Sequence, residues 1–518
     1  MPASFELTSS TFGEFLQHHF EKSPGAFLGD PLLNKSLNFS DFFQSVKHVA
    51  TLMKNEGLPP NSVVHFIGTN SLELMVCYCA IALNDWIPVG SNSKAPVVEL
   101  EVNVNNTFSK ALLVSKELWT VFGKEFSSNT LKVVFVYELL HKDPFEIAIK
   151  KVHYSNPFET PQTITDELKS VSFMFLTSGS TGSPKAVKIN HRTIFATDGG
   201  CYYLLLEFFN IRRTILQCQP FSHAGGIFFF LIALFSGQNL YMMEGFDEKR
   251  YLDAITKYHV NCLFTTITMI TSISKYAGLS DYDLSEINLI VSGGATLNKE
   301  SIDAVQEKAN VSNKLIFVEN YGSSETGFNY FSSNYLNDIK PGLPLSSSKT
   351  HAKIMSVDSH QECGEGEIWV KYSGLMLGYL NDKVKTDAAL TKDGWYKTGD
   401  LGYIKDGNLF ISGRIKDVIK YRAFSVNSLE LEKVMLTHPD VKNVGVIAEP
   451  HDEHGEIPVA FVVASSQVSA GELMIYVSKR VSEYKQIRKV YFIEKIPYNN
   501  GNKIDKVFLR NHLKNISG

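Results

Sequence analysis

Much of what would assign this chain to a class is missing from it. No apolar run reaches the roughly twenty residues that span a bilayer; the most apolar stretch, IFFFLIALF, covers only Ile227 to Phe235. The opening MPASFELTSSTFGEF has neither a basic segment nor an apolar one, so no secretory leader is legible. The final NISG is not a peroxisomal tripeptide of the SKL kind. The expected location is therefore the cytoplasm. There is no excess of positive charge: 50 Lys and Arg stand against 54 Asp and Glu, a formal net charge of −4. Nucleic-acid binders carry a basic face, so that class is not expected, while a local basic pocket for an acidic small molecule stays open. Six cysteines occur in 518 residues, with no CxxC pair and no Cys/His cluster at zinc spacing. Cys77 and Cys79 sit inside the apolar LMVCYCAIAL, so reduced, mostly buried thiols are expected. No period of 20–50 residues repeats, which excludes solenoids and propellers. No GxSxG elbow of the α/β-hydrolases is present.

What the chain has is alternation. FSDFFQSVKHVATLMKNEG has helical spacing and a glycine stop. SVVHFIGTN reads as a short buried strand, SLELMVCYCAIALND as a helix, and IPVGSN as a return into a loop. KALLVS, LKVVFVYE, VNCLFTT and NLIVSGG read as strands. Strands separated by helices predict parallel βαβ units and a layered α/β fold. Near the C-terminus the pattern becomes short strands, a helix, longer strands and another helix. That is an α+β unit of about a hundred residues, an ordinary domain size. The boundary is placed near Gly413 to Asp417, giving domains 1–415 and 416–518.

One loop carries chemistry. The apolar VSFMFL, Val171 to Leu176, empties into Thr177, Ser178, Gly179, Ser180, Thr181, Gly182, Ser183, Pro184 and Lys185. Gly179 and Gly182 let the backbone approach a ligand closely, and successive N–H groups in such a turn form an anion nest. The hydroxyls add donors and Lys185 adds a charge for phosphate. The spacing is not GxxxxGK[ST], so this is not a Walker A loop.

TSGSTGSPK also resembles the phosphate-binding signature of the adenylate-forming superfamily, which includes acyl-CoA synthetases, 4-coumarate-CoA ligases and beetle luciferases. Further strings follow in that superfamily's order. QPFSHAGG puts His223 where the family has an active-site histidine beside the acyl pocket. LIVSGGATL resembles the strand and turn that receive adenine, at Ser292, Gly293, Gly294 and Ala295. ENYGSSETG resembles YGxTE. There Asn320, Tyr321, Gly322, Ser323 and Ser324 belong to the nucleotide site, with Tyr321 against adenine and the Ser324 hydroxyl for the α-phosphate. Glu325 would help hold Mg²⁺, a hard cation that prefers carboxylate and phosphate oxygens. GWYKTGD ends on Asp400, whose carboxylate would accept both ribose hydroxyls. SGRIKDVIKYRAFSVNSLELE resembles the hinge segment: Arg414 for ribose or phosphate, Lys416 as pivot, and Lys420 in the stretch that enters the site for the second half-reaction. YNNGNKIDK resembles the C-terminal lysine motif and makes Lys503 the catalytic amine.

The resemblance runs from about Thr11 to about Leu513. It implies an enzyme, an acid–thiol ligase that uses ATP, Mg²⁺ and CoA. It also implies a large N-terminal domain of layered α/β subdomains plus a distorted β-barrel, and a small mobile C-terminal domain. Phe228, Phe229, Phe230, Met269, Phe328 and Tyr330 would line an acyl pocket with no second cation, so a hydrophobic or aromatic carboxylic acid is expected. The family's glycines after PK, in KYxG and before the catalytic lysine are Ala186, Ala423 and Asn502 here, and its proline before the hinge-helix glutamate is Ser428. Two other enzyme readings stay in view, a luciferase-like oxygenase and an enzyme loading a carrier protein; the three lost glycines speak for a third, a degenerate binding protein, against which the retained Lys185, Glu325, Asp400, Arg414 and Lys503 argue.

Overall fold

Strands apolar on both faces and helices apolar all round must be covered on every side, and they set the architecture. Val63–Ile67 is buried at every residue, and the helices Leu72–Leu83 and Ala224–Phe235 are buried almost throughout. The computed structural model describes residues 11–140, 146–154, 159–177, 184–190, 193, 211–293, 299–311, 315–326, 331–336, 343–344, 351–422, 424–464, 468–498 and 504–517. These residues fall into two compact units, 1–350 with 372–390, and 351–371 with 391–518.

The first unit holds two eight-stranded sheets. One runs Phe331–Leu336, Ile316–Tyr321, Leu289–Gly293, Cys262–Thr266, Thr214–Gln217, Asn239–Met242, Phe27–Asp30 and Lys35–Asn38. Its edge strands are antiparallel and the six between them are parallel. The other runs Gly378–Tyr379, Lys185–Ile189, Phe173–Thr177, Ile87–Ser91, Val63–Ile67, Ala111–Ser115, Val133–Leu140 and Glu146–His153. Two buried helices touch both sheets. Tyr78 packs edge-on against Phe66 and Phe221, and Phe228 and Phe229 pack against Phe175 and Phe264. Two helix starts are written in the sequence as a hydroxyl or amide cap: before Leu72–Leu83, Ser71 accepts from the Leu74 N–H, and before the helix Phe39–Lys54, Asn38 accepts from the Asp41 N–H.

The layered α/β expectation holds, with one local correction. IPVGSN is not a loop. Ile87–Ser91 is a fully buried strand, parallel to Val63–Ile67. Pro88 and Gly90 disguised it. The strand tolerates the missing N–H because its other neighbour pairs with it only at Val89 and Met174. Gly90 is required because a Cβ there would stand 2.4 Å from the Phe66 ring.

Beside this strand lies a buried polar chain. His65 Nε2 meets Ser91 Oγ at 2.8 Å, and Asn103 Nδ2 donates to the same oxygen at 3.1 Å. Burial lowers the His65 pKa from 6.5 to about 3. The unfolded chain therefore binds a proton that the folded chain refuses between those values, and stability falls as pH falls through that window. His65→Gln is expected to flatten the decline of melting temperature below pH 6.5. A decline as steep as the parent's would contradict the assignment. His19, lowered to about 3 by burial first and His18 second, keeps part of the slope in either protein.

The second unit has two sheets of its own. One orders Asn408–Arg414, Tyr396–Lys405, Glu365–Lys371 and His351–Met355, all antiparallel. The distorted barrel implied by the resemblance is not formed among the described residues: this sheet is open, with His351–Met355 as an edge. The other sheet combines Val418–Tyr421, Phe424–Asn427, Val441–His451, Gly455–Ala464 and Lys489–Phe492. The helices Ser428–Leu436, Ala470–Ser478 and Lys506–Ser517 accompany it, and Leu431, Leu473 and Leu509 enter one core with Val446 and Phe461. Position 415/416 falls inside this unit, in the short 3-10 helix Ile415–Asp417.

Among the described residues no helix is long and apolar enough to cross a membrane. Cys77, Cys79, Cys218 and Cys262 are buried free thiols and Cys363 is half-buried. Burial pushes the Cys218 and Cys262 thiols up to about 12. Cys201 lies outside the described residues.

Candidate active site

Ligands of open parallel sheets sit beyond the carboxyl ends of the strands, and several of the predicted residues lie there. Ser292 and Gly293 end one strand; Asn320 and Tyr321 end its parallel neighbour, with Gly293 opposite Asn320. Ser292 is fully buried and Asn320 is 4% exposed. Ser292 Oγ and both polar atoms of the Asn320 amide find no hydrogen-bond partner among the described residues. Buried polar atoms left unpaired cost free energy, so a polar ligand at these strand ends would offset that cost. Gly294 and Ala295 lie outside the described residues.

Gly322 and Ser323 follow Tyr321 into the short 3-10 helix Ser324–Thr326. The turn is closed on itself: the Ser323 N–H donates to Thr326 Oγ1 at 2.8 Å, and that hydroxyl donates back to the Ser323 carbonyl at 2.9 Å. Glu325 is buried there. In the other sheet, Thr177 ends one strand and Lys185 begins the next, opposite each other in register. Residues 178–183, which include Ser178, Gly179, Ser180, Thr181 and Gly182, lie outside the described residues. Lys185 and Glu325, 140 positions apart in sequence, are brought together through Tyr379. The Lys185 ammonium donates to the Tyr379 hydroxyl at 3.2 Å and lies 4.2 Å from its ring centroid. The same hydroxyl donates to Glu325 Oε1 at 3.0 Å.

His223 caps the helix Ala224–Phe235, its Nδ1 accepting the Gly225 N–H at 3.1 Å. In the neutral ring this places the proton on Nε2. The preceding loop is anchored by Asn70, which donates to the Gln219 and Met243 carbonyls and accepts the Phe221 N–H. Phe228, Phe229, Phe230 and Met269 are buried and packed, Phe228 on Phe175, Phe229 on Phe264, Phe230 on Phe221 and Met269 beside Cys218. Phe328 and Tyr330 lie outside the described residues.

In the second unit Asp400 and Arg414 are register partners, with Arg414 Nε 3.1 Å from Asp400 Oδ1. Thr398 Oγ1 accepts the Asp400 N–H, and Glu367 accepts the Gly399 N–H while holding the Trp369 indole. The Lys416 residue is exposed, yet its ammonium is crowded enough that desolvation, then Arg414 nearby, lowers its pKa. Lys420 is exposed on the strand Val418–Tyr421, its N–H donating to Glu456. Lys503 and Asn502 lie outside the described residues, as does Ala423. The chain on either side of 499–503 is fixed: Tyr498 and Ile504 form a β-bridge, and the Asp505 N–H donates to the Pro497 carbonyl at 2.8 Å.

The chain matches the model of the AMP-binding enzyme over residues 20–380 and that of the AMP-binding enzyme C-terminal domain over residues 430–503. It belongs to the AMP-binding, adenylate-forming superfamily. Relatives include 4-coumarate–CoA ligase CCL1 of Humulus lupulus, 32% identical over 507 residues, or 92% of this chain and 88% of that protein. A 4-coumarate–CoA ligase of Pinus taeda is 35% identical over 355 residues, 65% of this chain and 64% of that protein. The luciferin 4-monooxygenase of Luciola mingrelica is 28% identical over 523 residues, 96% and 93% of the two chains. Among solved structures, ATP-bound MatB from Rhodopseudomonas palustris shares the fold with a TM-score of 0.79 at 20% identity, covering 98% of this chain and 100% of that one.

As an AMP-binding enzyme of the acid–thiol ligase class, the chain carries functional candidates that sequence reasoning passed over. Tyr379 sits in YSGLMLGYL, which offers no charged or nucleophilic signal. Lys506 was hidden by the lysine three residues before it. Its ammonium donates to Glu432 Oε1 and Ser428 Oγ, both at 2.8 Å, and approaches Asp417 at 4.0 Å. Two departures from the superfamily pattern find a structural use or none is needed. Ser428, standing for proline, is the oxygen that Lys506 meets. Ala186 sits in an extended strand, packed with Leu380, so glycine's freedom is not required there.

Proposed function

We propose that this enzyme activates a hydrophobic or aromatic carboxylic acid with ATP and transfers the acyl group to coenzyme A. The orphaned Ser292 and Asn320 at adjoining strand ends, with Glu325 close behind in the chain, carry the nucleotide half of this reading. A carboxylate oxygen attacks the α-phosphorus, the bond to the bridging oxygen breaks, and pyrophosphate leaves. Both reactants are anions, so charge must be neutralised and the attacking and leaving oxygens aligned. Lys185 and the N–H groups of 178–183 serve the β- and γ-phosphates, and Asp400 the ribose. Arg414 orients Asp400 or contacts ribose or phosphate.

Among the described residues no cluster of three or more His, Cys, Asp or Glu could hold a metal alone. One buried carboxylate, Glu325, does fit Mg²⁺, which is commonly bound by one or two carboxylates plus substrate phosphates. When bound, Mg²⁺ would neutralise phosphate charge.

Lys503 bridges the acid and the reacting phosphate in the first half-reaction. Residues 416–518 then turn about Lys416 and bring Lys420 to the site, a rigid-body switch. The CoA thiol attacks the acyl carbon and AMP leaves. The apolar stretch after His223, with no second cation, favours the hydrophobic acid. Pyrophosphate release measured over a panel of carboxylic acids, with and without CoA, tests both halves. The reading requires release that depends on a hydrophobic acid, with a thioester formed when CoA is present. Release only with polar diacids, or light or an acyl-carrier adduct in place of thioester, would overturn it.

A further inference from the structure

We infer that Tyr379 is a positioning residue that presets Lys185 and Glu325 for a triphosphate, an inference that rests on the roles proposed for those two groups above. Lys185 begins a strand of one sheet and Glu325 sits in the 3-10 turn after a strand of the other, and nothing in either sheet alone fixes their separation. The segment Tyr372–Leu380 does. Toward one sheet, the Leu377 N–H donates to the Lys188 carbonyl and the Leu380 N–H to the Ala186 carbonyl, both at 2.9 Å. Toward the other, the Met376 N–H donates to the Glu325 carbonyl at 2.8 Å and the Tyr372 hydroxyl donates to the Thr326 carbonyl. Gly378 makes the passage possible with φ +116°, and a Cβ there would stand 2.7 Å from Thr386 Cγ2.

Tyr379 is 4% exposed at the middle of this clamp. Its hydroxyl has one proton to give and gives it to Glu325; it receives one from Lys185. Donor direction is thereby fixed along the chain from ammonium to phenol to carboxylate. The ring face adds a second hold on the cation. In this arrangement the phenol hydroxyl stands between Lys185 and Glu325, which form no direct ion pair with each other. A direct pair would neutralise the two groups that a triphosphate and its metal must find separately. A nucleotide with β- and γ-phosphates gains from this spacing; AMP, which reaches neither group, does not.

The test is calorimetric binding of α,β-methylene-ATP with Mg²⁺, and of AMP, to the full chain and to Tyr379→Phe. Hydrogen bonds to charged groups are strong enough that removing the hydroxyl should weaken the triphosphate roughly tenfold or more. AMP binding should stay within about twofold, the scale of an ordinary error at a site lacking the contact. Equal weakening of both nucleotides, or of neither, would overturn the inference. In a Lys185→Met background the hydroxyl has lost half its purpose, so the further effect of Tyr379→Phe should shrink; an undiminished effect would also count against it. Should the unsubstituted chain bind neither nucleotide, the proposed function itself fails, which is a separate result. Melting curves of Tyr379→Phe that match the parent show that the split does not come from loss of fold.

Discussion

Lys503→Ala is expected to slow acyl-adenylate formation by about 10²–10³-fold, the cost of removing one preorganised charged donor from a charge-developing step. Thioester formation from preformed acyl-adenylate and CoA should remain within a few-fold, because the lysine serves only the first half-reaction in the proposed cycle. Pyrophosphate exchange reads the first step, and single-turnover thioester formation reads the second. The split depends on the rigid base of the 499–503 segment. Tyr498 and Ile504 pair, Asp505 is tied to Pro497, and Asn443 donates to the Tyr498 hydroxyl, so the described chain on either side of that segment is anchored by contacts that do not involve position 503. Adenylation at the parental rate would remove the lysine from the mechanism. Equal loss in both steps would make it a general binding residue.

How much of this was visible beforehand depended on whether a contact was local. The buried strands Val63–Ile67 and Cys262–Thr266 and the helix Leu72–Leu83 follow from neighbours in sequence, and they were legible. The strand Ile87–Ser91 was not, because its proline and glycine signal a turn, and only the Phe66 ring across the sheet explains Gly90. Short motifs led to Ser292, Asn320, Glu325, Asp400 and Arg414, since each stands in a string that resembles a signature of the superfamily. Tyr379 stands in an apolar string, and its meaning exists only when 185, 325 and 379 meet. The pairing of Asp400 with Arg414 likewise required the strand register. Ser428 looked like a lost proline until its hydroxyl was found against a lysine 78 positions away.

That same lysine carries the largest expected loss of stability. Lys506 joins the tail helix Lys506–Ser517 to the helix Ser428–Leu436 and reaches toward the turn Ile415–Asp417. Its main partner, Glu432, is only 5% exposed and also accepts the Val446 N–H at 2.9 Å. Arg510 reinforces the arrangement from the same helix, 3.4 Å from Asp417. Lys506→Met keeps the length and the packing of the side chain but leaves the Glu432 carboxylate buried without its cation. Breaking a buried pair from one side typically costs about 3–5 kcal/mol, against about 0–1 for an exposed pair. Chemical unfolding followed by circular dichroism separates the two ranges, and a loss below about 1 kcal/mol would show the pair to be solvated. A second measurement fixes the cause. Burial already raises the Glu432 pKa, with Lys506 opposing, so removing the lysine raises it further. A carboxyl whose folded pKa lies above its unfolded value favours the fold when protonated, and that contribution fades as pH rises through the folded value. Lys506→Met should therefore lose more stability, relative to the parent, at alkaline than at mildly acidic pH. Adding Glu432→Leu to it should recover part of the loss, because an apolar pair leaves no charge to desolvate.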